Sequence, residues 1–184
     1  MDLVWPASEY LPSYIDALER GWSPDNQRPA AAQEELARIA QDPAAFLAEQ
    51  VDRDGRGPLV VLPDGSTVPR LPGYRRWLWD GTFCGVIGFR WLPGTAALPP
   101  TCLGHVGYAV VPWKRERGYA TRALALLLPD AAREALPYVE VTTDEGNVAS
   151  QRVIVANGGQ LVERFAKPLA HGGGFGLRFR IPLP

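Results

Sequence analysis

A short basic loop between a predicted strand and a predicted helix is the part of the sequence whose residue types best suit chemistry. It reads Arg115-Glu116-Arg117-Gly118-Tyr119-Ala120-Thr121 and follows the β-prone segment 104–111, which a proline ends. A helix-like stretch begins at Arg122. The first N–H groups of a helix have no intrahelical acceptor, and the helix dipole favours negative charge beside them. With three nearby arginines, and with Gly118 permitting close approach, the loop predicts a site for a pyrophosphate on a long cofactor.

The loop lacks the phosphate-binding motifs of two large nucleotide-binding classes. Neither Gly-x-x-x-x-Gly-Lys-Ser/Thr nor Gly-x-Gly-x-x-Gly after a strand is present, which argues against a P-loop nucleotidase and a Rossmann dinucleotide site. The pattern Arg115-x-x-Gly118-x-Ala120 instead resembles the acetyl-CoA pyrophosphate loop of the GNAT N-acetyltransferase superfamily. A basic strand-to-helix turn with solvated charges is the alternative interpretation of this motif by itself.

A second motif follows the next predicted strand, Tyr138 to Thr143. Asn147 is a good N-cap for a short helix, and Asn157-Gly158-Gly159 is a good stop signal for it. Members of the superfamily carry Asn-x-x-Ser/Ala and a short helix ending in Gly at this place. The resemblance implies that the Asn147 side chain contacts the pantetheine arm of CoA, with Ser150 beside the same arm. Two motifs in the right order favour the acetyltransferase interpretation over a solvated turn.

The resemblance covers residues 74–181 best and is closest to a bacterial branch of predicted acetyltransferases of unknown substrate. It implies an α/β fold of the GNAT type, with a mixed, mostly antiparallel central sheet flanked by helices. We expect one domain over residues 1–184, with a helical N-terminal part at about 8–50 and a core at about 59–182. The implied substrates are acetyl-CoA as acyl donor and a small amine or peptide amine as acceptor. The implied contacts with CoA are Val110, Val111, Arg115, Arg117, Gly118, Tyr119, Ala120, Thr121, Asn147 and Ser150. The backbone of Val110 and Val111 would pair with pantetheine, and the Val110 N–H would polarise the thioester carbonyl.

The sequence offers several candidates for the groups that would move protons. Many superfamily members use a tyrosine about seven residues after the motif asparagine to protonate the leaving thiolate, but Ile154 stands there. Tyr108 and Tyr119 are near in the sequence but do not occupy that position, so the thiolate would leave without a protein acid or take a proton from water. For the base that deprotonates the amine we choose His105, whose ordinary pKa suits proton removal near neutral pH. A structural histidine bonded to neighbouring backbone is an equal alternative. Glu140 and Asp144 are further candidates, although strand and turn positions explain them as well.

Composition limits the remaining possibilities. The 184 residues suffice for one well-buried domain, and 46% hydrophobic with 21% charged residues is typical of a globular protein. A net charge of -1 argues against a nucleic-acid partner. No apolar run approaches a membrane span, no secretory signal is evident, and the two cysteines require no disulfide, so we expect a cytoplasmic protein. We expect no metal site, and the sequence leaves a homodimer open.

Periodicity and turn signals predict the elements around the motifs. Helices are expected at residues 8–20, with Ser8 as cap, at 31–40 and at 43–50. A small hairpin is expected around Pro63-Asp64-Gly65, and a long one joins 74–79 to 82–90 through Asp80-Gly81. A helix over 118–135 should bend at Pro129. The last strands, 160–165 and 175–181, should meet at the glycine-rich tip 172–174.

Two other functions stay open on the sequence alone. The missing tyrosine keeps a non-catalytic CoA-binding or acyl-CoA-sensing module as the first alternative. Cys102 and His105 suggest a thiol hydrolase, but their spacing on an extended segment points their side chains to opposite faces. The tryptophans of the predicted hairpin, Trp77, Trp79 and Trp91, pack a core or form the floor of an acceptor pocket.

Overall fold

The α-helices of this protein flank antiparallel sheets. The computed structural model describes residues 1–62 and 64–183. The helices within those residues are α1 (Leu11–Glu19), α2 (Ala31–Gln41), α3 (Pro43–Ala48), α4 (Tyr119–Ala132) and α5 (Val148–Ala156). The α/β architecture, with antiparallel sheets flanked by helices, confirms the predicted fold class.

The first sheet is built around the long predicted hairpin. Its strands are β1 (Asp2–Val4), β2 (Val51–Asp52), β5 (Gly73–Trp79), β6 (Phe83–Arg90) and β7 (Val106–Val110). The main path runs β1-β5-β6-β7, and β2 also pairs with β5. The short strands β3 (Val60–Val61) and β4 (Thr67–Val68) form a separate two-stranded ribbon.

The second sheet has the order β8-β10-β9, with β8 (Tyr138–Asp144), β9 (Gln160–Ala166) and β10 (Phe175–Pro182). Helix α4 connects β7 of the first sheet to β8 of the second. No ladder joins β7 to β8 in the described part of the chain, so the two sheets separate between these strands. This separation, together with the start of α4, positions the candidate site.

Strand β7 lies between two hydrophobic cores and contributes alternate side chains to each. Val106, Tyr108 and Val110 pack with α4, α5 and the inner face of the second sheet. Ala109 and Val111 pack on the opposite face, with α1, α2 and α3. Because successive side chains of a strand point to opposite faces, one strand contributes to both cores and is held firmly between two layers of helices.

Most predicted elements are present, with small differences at their ends. Ser8 does not cap α1 with its side chain; its carbonyl accepts the Leu11 N–H at 3.3 Å, and a proline in the first turn helps α1 to begin at Leu11. Helix α4 runs through Pro129 and ends at Ala132, because Ala131 and the other buried residues of its inner face hold both halves against the sheets. Pro63, in the predicted small turn, lies outside the described residues.

Candidate functional site

Between β7 and β8 the two sheets part, and this gap is called the cleft. At its closed end, the His105 N–H donates to the Glu140 carbonyl at 2.8 Å, and the Glu140 N–H donates to His105 Nδ1 at 2.9 Å. Beyond this point β7 has its hydrogen-bonded partner, β6, on one side only. The other edge of β7 therefore presents backbone groups to the cleft.

The backbone of Val110 faces that cleft, whereas the N–H of Val111 does not. The Val111 N–H donates to the Cys84 carbonyl at 3.0 Å, so it belongs to the ladder with β6. Val110 lies opposite Gly85 in this register. Since N–H groups alternate in direction along an antiparallel strand, the Val110 N–H points away from β6. The Val111 N–H is therefore engaged with β6, whereas the Val110 N–H is free to meet a ligand, and the pairing of this backbone with pantetheine stays a prediction.

The loop before α4 presents a set of free backbone N–H groups. No acceptor within residues 1–62 and 64–183 takes the N–H groups from Glu116 to Thr121, and the first helical bond is Arg122 N–H to the Gly118 carbonyl at 3.0 Å. Glu116 and Gly118 have positive φ angles of 61° and 73°. Successive N–H groups in such turns converge into an anion-binding concavity. The backbone therefore fits a phosphate group, as the sequence predicts.

Open space and positive charge complete this fit. A Cβ atom added at Gly118 would meet nothing within 4 Å, so the backbone at the N-terminus of α4 is open to a ligand. Arg115 and Arg117 are exposed. Arg115 Nε donates to the Val110 carbonyl at 3.2 Å, and Arg122 lies 3.5 Å from Asp2 in an exposed ion pair. The Arg122 pair is a weak surface ion pair, and one hydrogen bond holds the exposed Arg115, so both guanidinium groups can turn toward an anion at little cost.

Asn147 begins α5 on the other side of the cleft. Its Oδ1 accepts the Ser150 N–H at 3.1 Å, which confirms the predicted N-cap. An amide has two donors on its nitrogen, so the capping bond leaves Nδ2 able to bind a ligand. The Ser150 hydroxyl lies 2.8 Å from the Tyr108 hydroxyl, which bridges β7 to α5.

Tyr108 is the site residue that the sequence analysis left without a role. The sequence signal that could have identified Tyr108 is its alternation with Val106 and Val110, which places all three side chains on the face of β7 that meets α4 and α5. Burial raises the pKa of Tyr108, and the hydrogen bond between its hydroxyl and that of Ser150 only partly opposes that shift. The phenol therefore stays protonated near neutral pH and can donate a proton.

The environment of His105 favours its structural alternative over a role as base. The side chain is fully buried, and burial lowers its pKa to about 4. Its Nδ1 is occupied by the Glu140 N–H, and its Nε2 has no partner among the described residues. A ring so enclosed cannot reach an amine in this conformation, and it fixes the closed end of the cleft instead.

The other candidate proton acceptors are also engaged. Both oxygens of Glu140 bind arginines, Arg178 at 2.6 Å and Arg180 at 2.9 Å. Burial would raise the pKa of Glu140, but these two guanidinium groups outweigh it and lower the pKa. Asp144 pairs with Lys167 at 2.5 Å. These contacts give Glu140 and Asp144 structural roles as partners of basic side chains.

The geometry gives no support to the thiol hydrolase. The Cys102 thiol donates to the Gly104 carbonyl at 3.4 Å, and no Cys102–His105 hydrogen bond occurs in the part of the chain that the structure describes. Trp77 and Trp91 are core residues; Trp77 is stacked on Tyr14 with ring centroids 4.4 Å apart. These two side chains do not form the floor of an open pocket, and the half-buried Trp79 packs on Tyr10 with ring centroids 4.7 Å apart.

Residues 1–62 and 64–183 offer neither an evident metal site nor a helix that could cross a membrane. No group of three or more His, Cys, Asp or Glu side chains in these ranges is arranged to hold a metal ion. Among the helices there, none combines the length and the apolar character that a bilayer span requires.

Comparison with known proteins agrees with this arrangement. A family model described as an acetyltransferase (GNAT) domain matches residues 14–160. A search of curated proteins finds no match to the chain.

Several solved structures share the fold. The microcin C7 self-immunity acetyltransferase MccE, solved with acetyl-CoA and AMP, has 12% identity and a TM-score of 0.64, over 98% of this chain and 91% of that one. RimL, a ribosomal L7/L12 α-N-protein acetyltransferase solved with CoA, has 15% identity and a TM-score of 0.62, over 98% and 93%. YncA of Salmonella typhimurium, solved with its cofactor acetyl-CoA, has 13% identity and a TM-score of 0.55, over 100% and 94%.

Proposed function

Since the chain belongs to the GNAT acetyltransferase domain family, we propose that it transfers the acetyl group of acetyl-CoA to a primary amine. The observation that carries this proposal is the run of free N–H groups from Glu116 to Thr121 at the N-terminus of α4. Arg115 and Arg122 flank this run in the sequence, and Arg117 lies within it. The family fixes the type of reaction, and the acceptor is proposed only as a small amine or a peptide amine.

The pyrophosphate of acetyl-CoA is proposed to bind the loop N–H groups at the start of α4. Arg115 and Arg117 add charge there, and the helix dipole favours the anion. The pantetheine arm would then enter the cleft between β7 and α5. It would meet the Val110 N–H on one side and the Asn147 Nδ2 on the other.

Acetyl-CoA supplies an activated thioester, so this chain needs to orient it, stabilise negative charge and protonate the departing thiolate. The Val110 N–H is the donor we propose for the carbonyl oxygen, because backbone donors of this kind stabilise charge that develops during acyl transfer. The Tyr108 and Ser150 hydroxyls are the proton donors we propose for the thiolate in place of the tyrosine that Ile154 replaces. The amine is proposed to lose its proton to water, since the imidazole of His105 is enclosed.

A panel of amines tests the proposal. Acetyl-CoA and the protein are incubated with one acceptor at a time, taken from amino acids, polyamines, aryl amines and peptides with free N-termini. Free thiol and acetylated product are measured in each reaction. The proposal expects at least one amine to give equal amounts of thiol and acetyl-amine. A variant with both Tyr108→Phe and Ser150→Ala substitutions should bind CoA but turn over slowly.

A non-catalytic CoA-binding module is the second candidate function. The observation that favours it is Ile154, which is fully buried at the position of the usual acid. That candidate expects CoA to bind with normal affinity while no amine in the panel is acetylated. Failure of CoA and acetyl-CoA to bind at all would contradict both candidates.

A further inference from the structure

The turn between β5 and β6 contacts both ends of the candidate pyrophosphate loop. Asp80 lies in this turn, and its Oδ1 accepts a hydrogen bond from Lys114 Nζ at 2.5 Å. Its Oδ2 accepts a hydrogen bond from the Tyr119 hydroxyl at 2.6 Å. Lys114 immediately precedes the loop segment 115–118, and Tyr119 immediately follows it. The carboxylate of Asp80 therefore binds the residue before and the residue after the four-residue segment 115–118.

These contacts lie in a partly enclosed environment. The side chains of Asp80 and Lys114 are 20% and 12% exposed. Lys114 Nζ also donates to Thr82 Oγ1 and lies 3.5 Å from Cys84 Sγ. Burial would raise the pKa of Asp80, but the hydrogen bonds from Lys114 and Tyr119 outweigh it and hold the pKa well below its usual range. The carboxylate is therefore charged whenever the protein works near neutral pH.

The loop needs such an external tie because its own backbone does little to hold it. Its N–H groups from Glu116 onward have no acceptor among the described residues, and the Arg115 N–H makes one long bond, to the Pro112 carbonyl at 3.4 Å. Two of its residues have positive φ angles, a conformation that costs free energy at the non-glycine position, Glu116. The β5–β6 hairpin, in contrast, is anchored by the fully buried Cys84 and Leu78.

We propose that Asp80 is a positioning residue for acetyl-CoA, holding Lys114 and Tyr119 so that the loop N–H groups already converge before the pyrophosphate arrives. This inference rests on the proposed function, because it requires the loop to be the pyrophosphate site. Pre-ordering of a binding loop lowers the entropy that binding would otherwise cost. Asp80 then acts on the affinity for the acyl donor and leaves the affinity for the amine unchanged.

The sign of the effect separates this role from simple electrostatics. Asp80 places a negative charge next to a site for an anion. If its charge were its only influence, neutralising it would strengthen CoA binding. If it positions the loop, the neutral Asp80→Asn variant loses the charge-assisted bond to Lys114 and binds CoA more weakly.

The experiment compares Asp80→Asn and Tyr119→Phe with a matched control, Asp64→Asn. Asp64 also precedes a glycine in a tight turn, but it lies in the β3–β4 ribbon, where it accepts bonds from Ser66. The Kd for CoA is measured by calorimetry, the kinetic constants are measured with the best amine of the panel, and melting is followed by circular dichroism. We expect Asp80→Asn to raise the Kd and the KM for acetyl-CoA roughly tenfold, with the amine KM and kcat within about twofold of wild type. Asp64→Asn should match wild type.

Tyr119→Phe keeps the ion pair and removes one tie, so it should weaken CoA binding less than Asp80→Asn does. In a variant that carries both Asp80→Asn and Tyr119→Phe, the second change should add almost nothing to the loss of CoA affinity, because the acceptor of the Tyr119 hydroxyl is already altered. Asp80→Asn protein with unchanged or tighter CoA binding would overturn the positioning role while the proposed function stands. If Asp80→Asn does not fold, a Tyr119→Phe protein with wild-type CoA affinity overturns it instead. Wild-type protein that binds no CoA would contradict the proposed function and this inference together.

Discussion

Asn147 offers two separable roles on one side chain. Its Oδ1 caps α5 by accepting the Ser150 N–H, and its Nδ2 donates to no acceptor within residues 1–62 and 64–183. Asn147→Asp keeps an oxygen for the cap and loses the donor, whereas Asn147→Ala loses both. The pair therefore separates the contribution of Asn147 to folding from its contribution to CoA binding.

The magnitudes follow from the two hydrogen bonds. Loss of the cap in Asn147→Ala should lower the free energy of unfolding by about 1 kcal/mol. Asn147→Asp should keep the stability or raise it slightly, since a carboxylate at a helix N-terminus interacts favourably with the dipole. Loss of the donor should weaken CoA binding in both variants by about 1–3 kcal/mol, which is roughly 5- to 150-fold in Kd.

Urea unfolding and calorimetry with CoA measure the two quantities on the same samples. The expected pattern is a stable Asn147→Asp protein with weakened CoA binding and a less stable Asn147→Ala protein with similarly weakened binding. Wild-type CoA affinity in Asn147→Asp would refute the contact with pantetheine and leave the cap as the only role of Asn147.

Three other predictions concern polar side chains that are buried or partly buried. Burial lowers the pKa of His105 from 6.5 to about 4, so between these pH values the imidazole is protonated in the unfolded chain and neutral in the folded protein. The free energy of unfolding should therefore decrease as the pH falls from 6.5 to 4, and His105→Gln should remove this part of the decrease. Tyr14→Phe removes the buried hydrogen bond to Glu35 and should cost about 1–3 kcal/mol of unfolding free energy in urea. Tyr108→Phe should lower kcat for acetyl transfer by roughly 100-fold, the lower range for general acid catalysis, and leave the Kd for CoA within about threefold.

Each of these predictions has a result that would contradict it. If folded His105→Gln loses unfolding free energy with falling pH as steeply as wild type, the imidazole is not the source of the pH dependence. For Tyr14→Phe the control is Tyr10→Phe, which lacks a buried partner; equal losses in both variants would show that the hydroxyl bond contributes nothing. A Tyr108→Phe enzyme with wild-type kcat, combined with a slow Ser150→Ala enzyme, would transfer the acid role to Ser150 alone.

The sequence predicted local features of this protein better than it predicted side-chain environments. Strands with Asp-Gly and glycine-rich turns, and the helix that begins after Asn147, depend on residues close together in the chain. Their signals are therefore complete within a short window. The start of α4 was predicted for the same reason, because Gly118 and the adjacent arginines stand side by side.

Contacts that depend on residues far apart were not predictable in this way. His105 is enclosed because its ring meets the backbone of Glu140, which lies 35 positions away. The direction of the Val111 N–H depends on the register with β6, which no local pattern specifies. The tie from Asp80 to Lys114 and Tyr119 joins a hairpin turn to a loop, and the Asp-Gly pair signalled only the turn.

The central claim is that the start of α4 binds the pyrophosphate of acetyl-CoA, and a pair of substitutions at Gly118 tests it most directly. Asn and Asp both tolerate the positive φ angle there, and a Cβ atom at this position meets nothing within 4 Å. The two variants therefore have nearly the same shape and differ by one negative charge. Calorimetry with CoA should show Gly118→Asn binding within a few-fold of wild type. Gly118→Asp should bind more weakly than Gly118→Asn by about 1–2 kcal/mol, which is roughly 5- to 30-fold in Kd. Equal CoA affinities in two folded variants would contradict the claim that the phosphates lie at this helix N-terminus.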